Sequence, residues 1–312
     1  MVTKPAVLVC GHGSRDNNAI EEFKTLVELL KINLPNRLVS YGFLEFARPT
    51  ISEQLIKIRD SKIKNVEAIP GMLFAAGHAK NDIPSVLNNF MNENNGFTIN
   101  YGRELAIHPK ILSACRARIE EAEASCSQKI NREETLLLVV GRGTSDPDAN
   151  SNISKVARIL WEGMGFGWAE IAYTGVTFPL IGPALERILM LGFKKIIVLP
   201  YFLFTGVLVK RIHTEINKVQ DLYPDTIFLK AKYLSDHPLV IESFIERLNE
   251  ISLGSNLMNC QLCKYREQII GYEHDKGVPQ VGHHHHVEGI GTEHKHQSNH
   301  SHENDYYKNN EN

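Results

Sequence analysis

Two histidines and a glutamate each follow a short apolar run of this sequence. His12 lies between two glycines directly after AVLVC, Glu45 lies at the end of LVSYGFLEF, and His78 follows a third such run. A neutral imidazole binds transition metals and accepts protons near pH 7, and a carboxylate completes metal sites or passes protons to water. These residue types predict metal binding or proton transfer. The glycines around His12 suit two other interpretations, a turn histidine or an anion loop built from backbone N–H groups.

Strands that alternate with helices must position these side chains. Each apolar run is short, is bounded by glycine or proline, and is followed by a segment with helical spacing of apolar residues. In the first half this predicts strands at 6–10, 38–46, 66–74 and 98–105. The alternation predicts βαβ units and a mostly parallel sheet, and such sheets bind ligands at the carboxyl ends of their strands.

The pattern restarts after a polar stretch. TLLLVVGRGTSD at 135–146 matches the opening stretch at an offset of 130 residues, since Gly141 aligns with Gly11. IAYTGVTFP at 171–179 echoes VSYGFLEFARP at 39–49 with a two-residue deletion, and residues 196–211 echo 66–81. Three similar segments in the same order predict a duplicated α/β domain with a cleft between the two copies.

The repeat predicts five regions. They are an N-terminal catalytic lobe at 1–124, a linker at 125–134, a C-terminal lobe at 135–253, a cysteine-containing segment at 254–277 and a histidine-rich disordered tail at 278–312. In the alignment His12 faces Arg142, Glu45 faces Thr177 and His78 faces Leu208. The titratable groups are therefore confined to the first lobe, which predicts one active lobe and one that shapes or holds the substrate.

Three motifs resemble those of a known family. GHGSRD at 11–16, FLEFARP at 43–49 and PGMLFAAGHAKNDIP at 70–84 are similar to signatures of the CbiX/SirB-type sirohydrochlorin chelatases. These class II chelatases insert a divalent metal into a tetrapyrrole without ATP. The resemblance implies two duplicated chelatase-like α/β domains, each with a mostly parallel sheet flanked by helices, and an active site in the cleft between them. It also implies that His12, Glu45 and His78 are the catalytic and metal-binding residues.

The same resemblance implies the substrates. The chain is most similar to the long CbiX form, which favours insertion of Co²⁺ into sirohydrochlorin for cobalamin, with Fe²⁺ for siroheme as the alternative. An alternative from another class is a metal-storage or tetrapyrrole-carrier protein without turnover. Sirohydrochlorin carries eight carboxylates, and basic residues near the cleft are candidates to pair with them, unless they are solvated surface charges. These residues are Arg15, Arg48, Lys80, Arg142, Lys210 and Arg211.

Two C-terminal features carry further metal ligands. Cys260 and Cys263 form a CxxC pair. In the long CbiX form, this motif is associated with an iron–sulfur cluster. Because a cluster needs four ligands, two chains would have to share it in a homodimer. A redox-active or structural thiol pair is the alternative. The tail is predicted to buffer or deliver metal, and a flexible solubilising tail is the alternative. Its histidines are His283, His284, His285, His286, His294, His296, His300 and His302.

Composition excludes several classes of protein. The chain has 312 residues, with Lys+Arg 34 against Asp+Glu 36, so it has no general attraction for nucleic acid or anionic membranes. No apolar run is long enough to span a membrane. Five irregularly spaced cysteines favour a reducing compartment over a disulfide scaffold, and the first strand leaves little room for a targeting peptide. We therefore expect a cytoplasmic protein, or one of the plastid stroma if the gene is organellar.

Overall fold

Two parallel sheets with the same connectivity form the centre of the molecule. The computed structural model describes residues 4–278. The first repeat contains β1 (Ala6–Gly11), α1 (Asn17–Asn33), β2 (Val39–Phe43), α2 (Ile51–Asp60), β3 (Asn65–Pro70), a π-helical turn (His78–Asp82), α3 (Ile83–Glu93), β4 (Thr98–Tyr101) and α4 (Pro109–Ala124). Within the described residues its sheet has the order β2-β1-β3-β4, with every pair parallel.

The second repeat follows a short 3₁₀ turn at Arg132–Glu134. It contains β5 (Thr135–Gly141), α5 (Pro147–Met164), β6 (Trp168–Tyr173), α6 (Ile181–Leu189), β7 (Lys195–Pro200), α7 (Val207–Leu222), β8 (Ile227–Lys230) and α8 (Pro238–Leu253). The order β6-β5-β7-β8 in the described part of the chain reproduces the first sheet strand for strand. The duplicated, mostly parallel α/β fold expected from the sequence is confirmed.

Both faces of each sheet are buried, which explains why the strands read as continuous apolar runs rather than as alternating ones. In β1, Val7 and Val9 belong to the core shared by the two repeats, whereas Leu8 packs on the outer side with α2 and α3. The corresponding outer core of the second sheet is formed with α6 and α7. The helices α1, α4, α5 and α8 lie between the two sheets and contribute to one continuous core.

The last helix of each repeat packs across the boundary between the repeats. α4 packs against β7, β8 and α5, whereas α8 packs against α1 and β3. Arg247 on α8 donates a hydrogen bond to the Leu105 carbonyl in the first repeat, at 2.7 Å. The predicted boundaries at 1–124 and 135–253 therefore divide the sequence into repeats but do not divide the core, because each repeat supplies one helix to the other's sheet.

The predicted strand ends differ from the observed ones at the carboxyl edge. β2 ends at Phe43 and β3 at Pro70, several residues earlier than the apolar runs do. The residues that follow form loops whose apolar side chains, such as Phe46 and Phe74, line the cleft. None of the described helices is long and apolar enough to cross a membrane.

Candidate metal centre

Three loops at the carboxyl edge of the first sheet bring His12, Glu45 and His78 together. They follow β1, β2 and β3, which are adjacent in the sheet, with Gly11 opposite Phe43 and Cys10 opposite Pro70. One potential ligand atom of each residue lies within 4.8 Å of the others. Among residues 4–278, this trio forms the one such group of three or more His, Cys, Asp or Glu side chains.

The two histidine rings contact each other edge to face, and His12 also contacts the glutamate. The ring centroids are 4.4 Å apart at 68°, and His12 Nε2 lies 3.1 Å from Glu45 Oε1. His12 Nδ1 lies 2.9 Å from the Gly13 carbonyl oxygen, which can only accept, so Nδ1 carries a proton. The short contact between Nε2 and the carboxylate is then favourable when a proton or a metal ion lies between them. His12 Nε2 and Glu45 Oε1 are thus close enough to bind the same cation.

A carboxylate orients His78. The ring Nδ1 donates to Asp82 Oδ2 at 2.8 Å, and Asn81 donates to the other Asp82 oxygen at 2.9 Å. A histidine whose Nδ1–H is held in this way presents Nε2 as the metal-binding atom and becomes a more basic ligand. Asp82 is not among the residues predicted from the sequence, although its spacing of four residues from His78 is the spacing of side chains that meet on a helix.

Burial lowers the pKa of His78 below its ordinary value. The hydrogen bond from the ring to Asp82 raises this pKa, but the charges of His12 and Arg142 lower it again, and the net direction is downward. The imidazole is therefore neutral at pH 7, which is the form that binds a metal ion and accepts a proton.

The backbone at Gly13 fixes the position of Glu45. Gly13 has φ +93°, and a Cβ at this position would lie 1.7 Å from the Glu45 carbonyl oxygen. The Glu45 N–H in turn donates to the His12 carbonyl at 3.0 Å. Only glycine permits this close approach of the two loops, and the buried Glu45 side chain depends on it.

The three side chains lie beside a cavity of about 450 Å³ between the two lobes. His12 and His78 line it from the first lobe, and Arg142 lines it from the second. Most of its walls are apolar and come from both repeats, including Phe46, Leu73, Phe74, Phe202, Phe204, Val207 and Leu208. Its volume is in the usual range for small-molecule sites, and its composition suits a flat apolar ring with charged groups at the rim.

The six predicted basic residues divide into two groups. Arg15 and Arg142 line the cavity, and the Arg15 guanidinium lies 5.0 Å above the Phe46 ring. The other four are outside the lining. Arg48 pairs with Glu53 on the outer surface at 3.4 Å, and Arg211 donates to the Thr174 carbonyl at 2.8 Å.

Lys80 and Lys210 connect the two lobes instead of facing the cavity. Lys80 Nζ contacts Asp146 at 2.7 Å and Asp148 at 3.1 Å, and its side chain is 3% exposed. The expectation that Lys80 binds a substrate carboxylate is therefore wrong, because two buried carboxylates of the second lobe already surround it. Lys210 pairs with Asp16 at 2.6 Å at the surface, and this hydrogen bond lowers the pKa of Asp16.

The cysteine pair is not part of the trio. Cys260 is half-buried, Cys263 is buried, and both are free thiols in the segment that follows α8. No group of three or more potential metal ligands in the described residues includes either of them. The tail histidines from His283 to His302 lie outside the described residues.

The structure corrects the predicted alignment of the second repeat. Leu44 N donates to Gly11 O and Thr174 N donates to Gly141 O, so the offset of 130 residues continues through this loop without a deletion. A Cβ on Gly143 would meet the Gly175 carbonyl at 2.0 Å, as one on Gly13 would meet that of Glu45. Gly175, not Thr177, is therefore the counterpart of Glu45. The second lobe places an arginine, a glycine and a leucine where the first has its three candidate ligands.

Comparison with known proteins gives one family. The CbiX family model matches residues 6–122 and 136–251, which are the two repeats. The chain is 37% identical to the sirohydrochlorin cobaltochelatase of Priestia megaterium over 85% of this chain and 86% of that protein. It is 28% identical to the sirohydrochlorin ferrochelatase of the same organism, over 74% and 85% of the two chains.

Solved structures show the same architecture. SirB from Bacillus subtilis with Fe³⁺ superposes with a TM-score of 0.71 and 25% identity, covering 81% of this chain and 98% of that one. The SirB of Bacillus subtilis subspecies spizizenii in complex with cobalt has a TM-score of 0.68 at 25% identity, covering 80% and 96%.

Proposed function

The chain belongs to the CbiX family, and from this premise we propose that it inserts Co²⁺ into sirohydrochlorin, without ATP, on the route to cobalamin. The observation that carries the proposal is the convergence of His12, Glu45 and His78 beside an apolar cavity. The cobaltochelatase at 37% identity supports cobalt as the metal.

The reaction exchanges two protons for one metal ion. Two pyrrole N–H bonds of the macrocycle break, the nitrogens form bonds to the metal, and two protons leave, so the protein must deliver a partly dehydrated ion and accept protons. Imidazole nitrogens and a carboxylate oxygen suit Co²⁺ and Fe²⁺ alike. Three protein ligands leave coordination positions open, so the ion is held without being enclosed and can pass to the macrocycle.

The same three residues are suited to take the protons. As the metal moves to the pyrrole nitrogens, the imidazoles of His12 and His78 lose their cation and become proton acceptors close to the macrocycle. Glu45 is next to His12 Nε2, at 3.1 Å, and can receive a proton from it or share one with it. General-base groups with pKa values near the working pH are the most effective in such transfers.

The cavity supports binding of the tetrapyrrole from both lobes. Its apolar walls suit the faces of the macrocycle, and we assign Arg15 and Arg142 to the rim carboxylates. Because Leu208 stands opposite the metal-binding side, the ion is delivered to one face of the ring, from the first lobe.

Insertion of Fe²⁺ for siroheme is the second candidate function. Two sirohydrochlorin ferrochelatases, at 28% and 26% identity, and the SirB structure with Fe³⁺ favour it. The ligand set does not discriminate between the two metals, since imidazole and carboxylate bind both. Comparison of the insertion rates of the purified protein with Co²⁺ and Fe²⁺ decides between them.

The test of the proposal follows the visible spectrum of sirohydrochlorin with each metal. His12→Ala and His78→Ala should each lower the insertion rate at least tenfold, a barrier change of about 1.4 kcal/mol, because each removes a ligand and a base. His213→Ala, which removes a histidine of α7 outside the cavity lining, is the matched control and should keep the wild-type rate. Binding of metal and tetrapyrrole without any spectral conversion would identify a carrier instead of an enzyme.

The iron–sulfur cluster at Cys260 and Cys263 stays a prediction. The described residues fit it poorly, because the Cys263 side chain is buried and the pair has no further ligands nearby. The cluster would be established if anaerobically purified protein is a dimer that contains iron and sulfide, and if the double serine variant loses the iron, the sulfide and the dimer. Metal supply by the histidine-rich tail and a cytoplasmic location are likewise proposals.

A further inference from the structure

The segment after α8, residues 254–278, lies against the turn that carries His78. The family model ends at residue 251, so this segment, which we call the strap, is outside the fold that the family model describes. We propose that the strap is a positioning element of the metal centre, which holds the π-helical turn and thereby the ligand atom of His78. The proposal rests on the proposed function of that site.

The first connection passes through the buried ion pairs. Asn259 of the strap donates to Asp148 Oδ1 at 2.9 Å. The other oxygen of Asp148, together with Asp146, binds Lys80, which lies two residues after His78 in the turn. The three side chains are 6% exposed or less, and both contacts of the ammonium group are within hydrogen-bond distance, at 2.7 and 3.1 Å. A change at Asn259 is therefore transmitted to the turn through two charge-assisted contacts.

The second connection is direct. The Tyr265 hydroxyl oxygen lies 3.3 Å from the point that a Cβ on Gly77 would occupy, and Gly77 immediately precedes His78. Burial, followed by the charges of Asp146, Asp275 and Asp82, raises the pKa of Tyr265 to about 12. Its hydroxyl therefore lies against the backbone of the turn, directly before His78.

The strap has an internal framework that keeps Tyr265 in place. The buried Lys264 pairs with Asp275 at 2.8 Å and lies 5.4 Å from the Tyr265 ring centre and 5.1 Å from that of Tyr272. Its Nζ also reaches the Ser145 carbonyl at 3.5 Å, on the loop before Asp146. These contacts tie the strap to the second lobe while Tyr265 abuts the first.

A third connection reaches the turn through Tyr101 on β4. Asn256 donates to the Tyr101 carbonyl at 2.8 Å, and the Tyr101 hydroxyl donates to the carbonyl of Ala79, the residue after His78, at 3.1 Å. The equivalent turn of the second repeat opens the ordinary helix α7, and its Lys210 is 60% exposed. The strap therefore supports the turn that carries a metal ligand and not its counterpart.

A ligand displaced by a fraction of an ångström binds its metal more weakly, so loosening the strap should act on the metal step. The test uses the full chain with Tyr265→Ala, Asn259→Ala and the conservative Tyr265→Phe. Ile270→Ala, at a strap position that is 89% exposed, is the matched control. The readouts are the KM for Co²⁺, the KM for sirohydrochlorin, and the Tm. A titration with Co²⁺ alone, followed by the visible absorption of the bound ion, measures the affinity of the site. Subtracting the spectrum of His78→Ala removes the absorption of Co²⁺ bound elsewhere on the chain.

We expect Tyr265→Ala and Asn259→Ala to raise the KM for Co²⁺ at least fivefold and to weaken the titrated site equally. The KM for sirohydrochlorin should change less than twofold, and Ile270→Ala should stay within twofold of the wild type in every readout. Tyr265→Phe keeps the ring but loses the hydroxyl that lies against Gly77, so it should raise the KM for Co²⁺ less than Tyr265→Ala does. Unchanged Co²⁺ affinity in both alanine variants overturns the proposal, and so does a lower Tm with reduced kcat but unchanged KM values, which is the result of a merely structural role. A wild-type protein that inserts neither metal refutes the proposed function, whereas the Co²⁺ titration still decides on the strap.

Discussion

The two lobes have the same strand order but different side chains at the carboxyl edge of their sheets. His12, Glu45 and His78 of the first lobe correspond to Arg142, Gly175 and Leu208 of the second. The loops of the first two pairs match in their hydrogen bonds and in the positive φ values at Gly13 and Gly143. The third pair differs, because His78 lies in a π-helical turn and Leu208 in α7. The duplicated scaffold therefore supplies two of the three loop geometries twice, and the three side chains that we propose to handle metal are present in the first copy. The unequal lobes make the cleft one-sided, with the proposed metal ligands on one wall and apolar side chains and an arginine on the other.

The contacts between the lobes are also duplicated and also unequal. Lys80 binds Asp146 in the interior, and its counterpart Lys210 binds Asp16, the counterpart of Asp146, at the surface. Asp16 and Asp146 are each the N-cap of the helix that follows, α1 and α5. The buried contact is made by a residue of the turn that carries His78, so it connects the second lobe to the turn of a proposed metal ligand.

The largest difference should appear when each lysine is replaced by methionine. Lys80→Met leaves Asp146 and Asp148, whose side chains are 1% and 6% exposed, without their cation, and should cost about 3–5 kcal/mol of unfolding free energy. Lys210→Met removes an exposed pair and should cost about 0–1 kcal/mol. Urea unfolding measures both values. Adding Asp148→Asn to Lys80→Met should recover part of the loss, and equal losses in the two single variants would show that burial does not distinguish the contacts.

Replacing the paired glycines by alanine separates fold from chemistry. Gly13→Ala and Gly143→Ala both force a Cβ against a carbonyl oxygen, at 1.7 Å and 2.0 Å, from a positive φ. Each should destabilise the protein by about 2–3 kcal/mol. The insertion rate per folded molecule should fall at least tenfold more in Gly13→Ala, because the displaced loop there carries Glu45. Similar rates in the two variants, measured below their Tm values, would argue against a role for Glu45 in the reaction.

The sequence predicted the parts of the fold and site that depend on local pattern. Short apolar runs before glycines predicted the strands, and the position of His12, Glu45 and His78 after three such runs predicted that they meet. The parallel sheet makes this inference reliable, because β1, β2 and β3 are neighbours whose carboxyl ends share one edge. Roles that depend on distant partners were not accessible in this way.

Lys80 is the clearest example of such a role. Its place in the motif indicated an exposed cation near the cleft, but Asp146 and Asp148 from the other repeat bury it. The packing of α4 on the second sheet and of α8 on the first could not be predicted for the same reason, since packing across the repeats leaves no local pattern in the sequence. The wrong assignment of Thr177 as the counterpart of Glu45 had a different cause. The two loops share few residue types, so the sequence alone did not show that they align without a deletion, whereas the backbone contacts do.

The smallest expected effect comes from restoring the lost ligands to the second lobe. The triple variant Arg142→His, Gly175→Glu, Leu208→His copies the first lobe's set into the equivalent positions, and a Cβ at Gly175 meets nothing within 4 Å. The first two positions lie in loops of matching conformation, whereas Leu208 lies in α7 instead of a π-helical turn. We expect one additional equivalent of bound Co²⁺ relative to the wild type. The new site should bind about 10–100-fold more weakly than the original, because the buried Ile212 stands where Asp82 orients His78. Isothermal titration with Co²⁺ counts the equivalents and gives both affinities. A folded triple variant that binds no extra metal would show that the loop conformation and three ligands are insufficient, and that the orienting carboxylate and the strap define the active lobe as much as the ligands do.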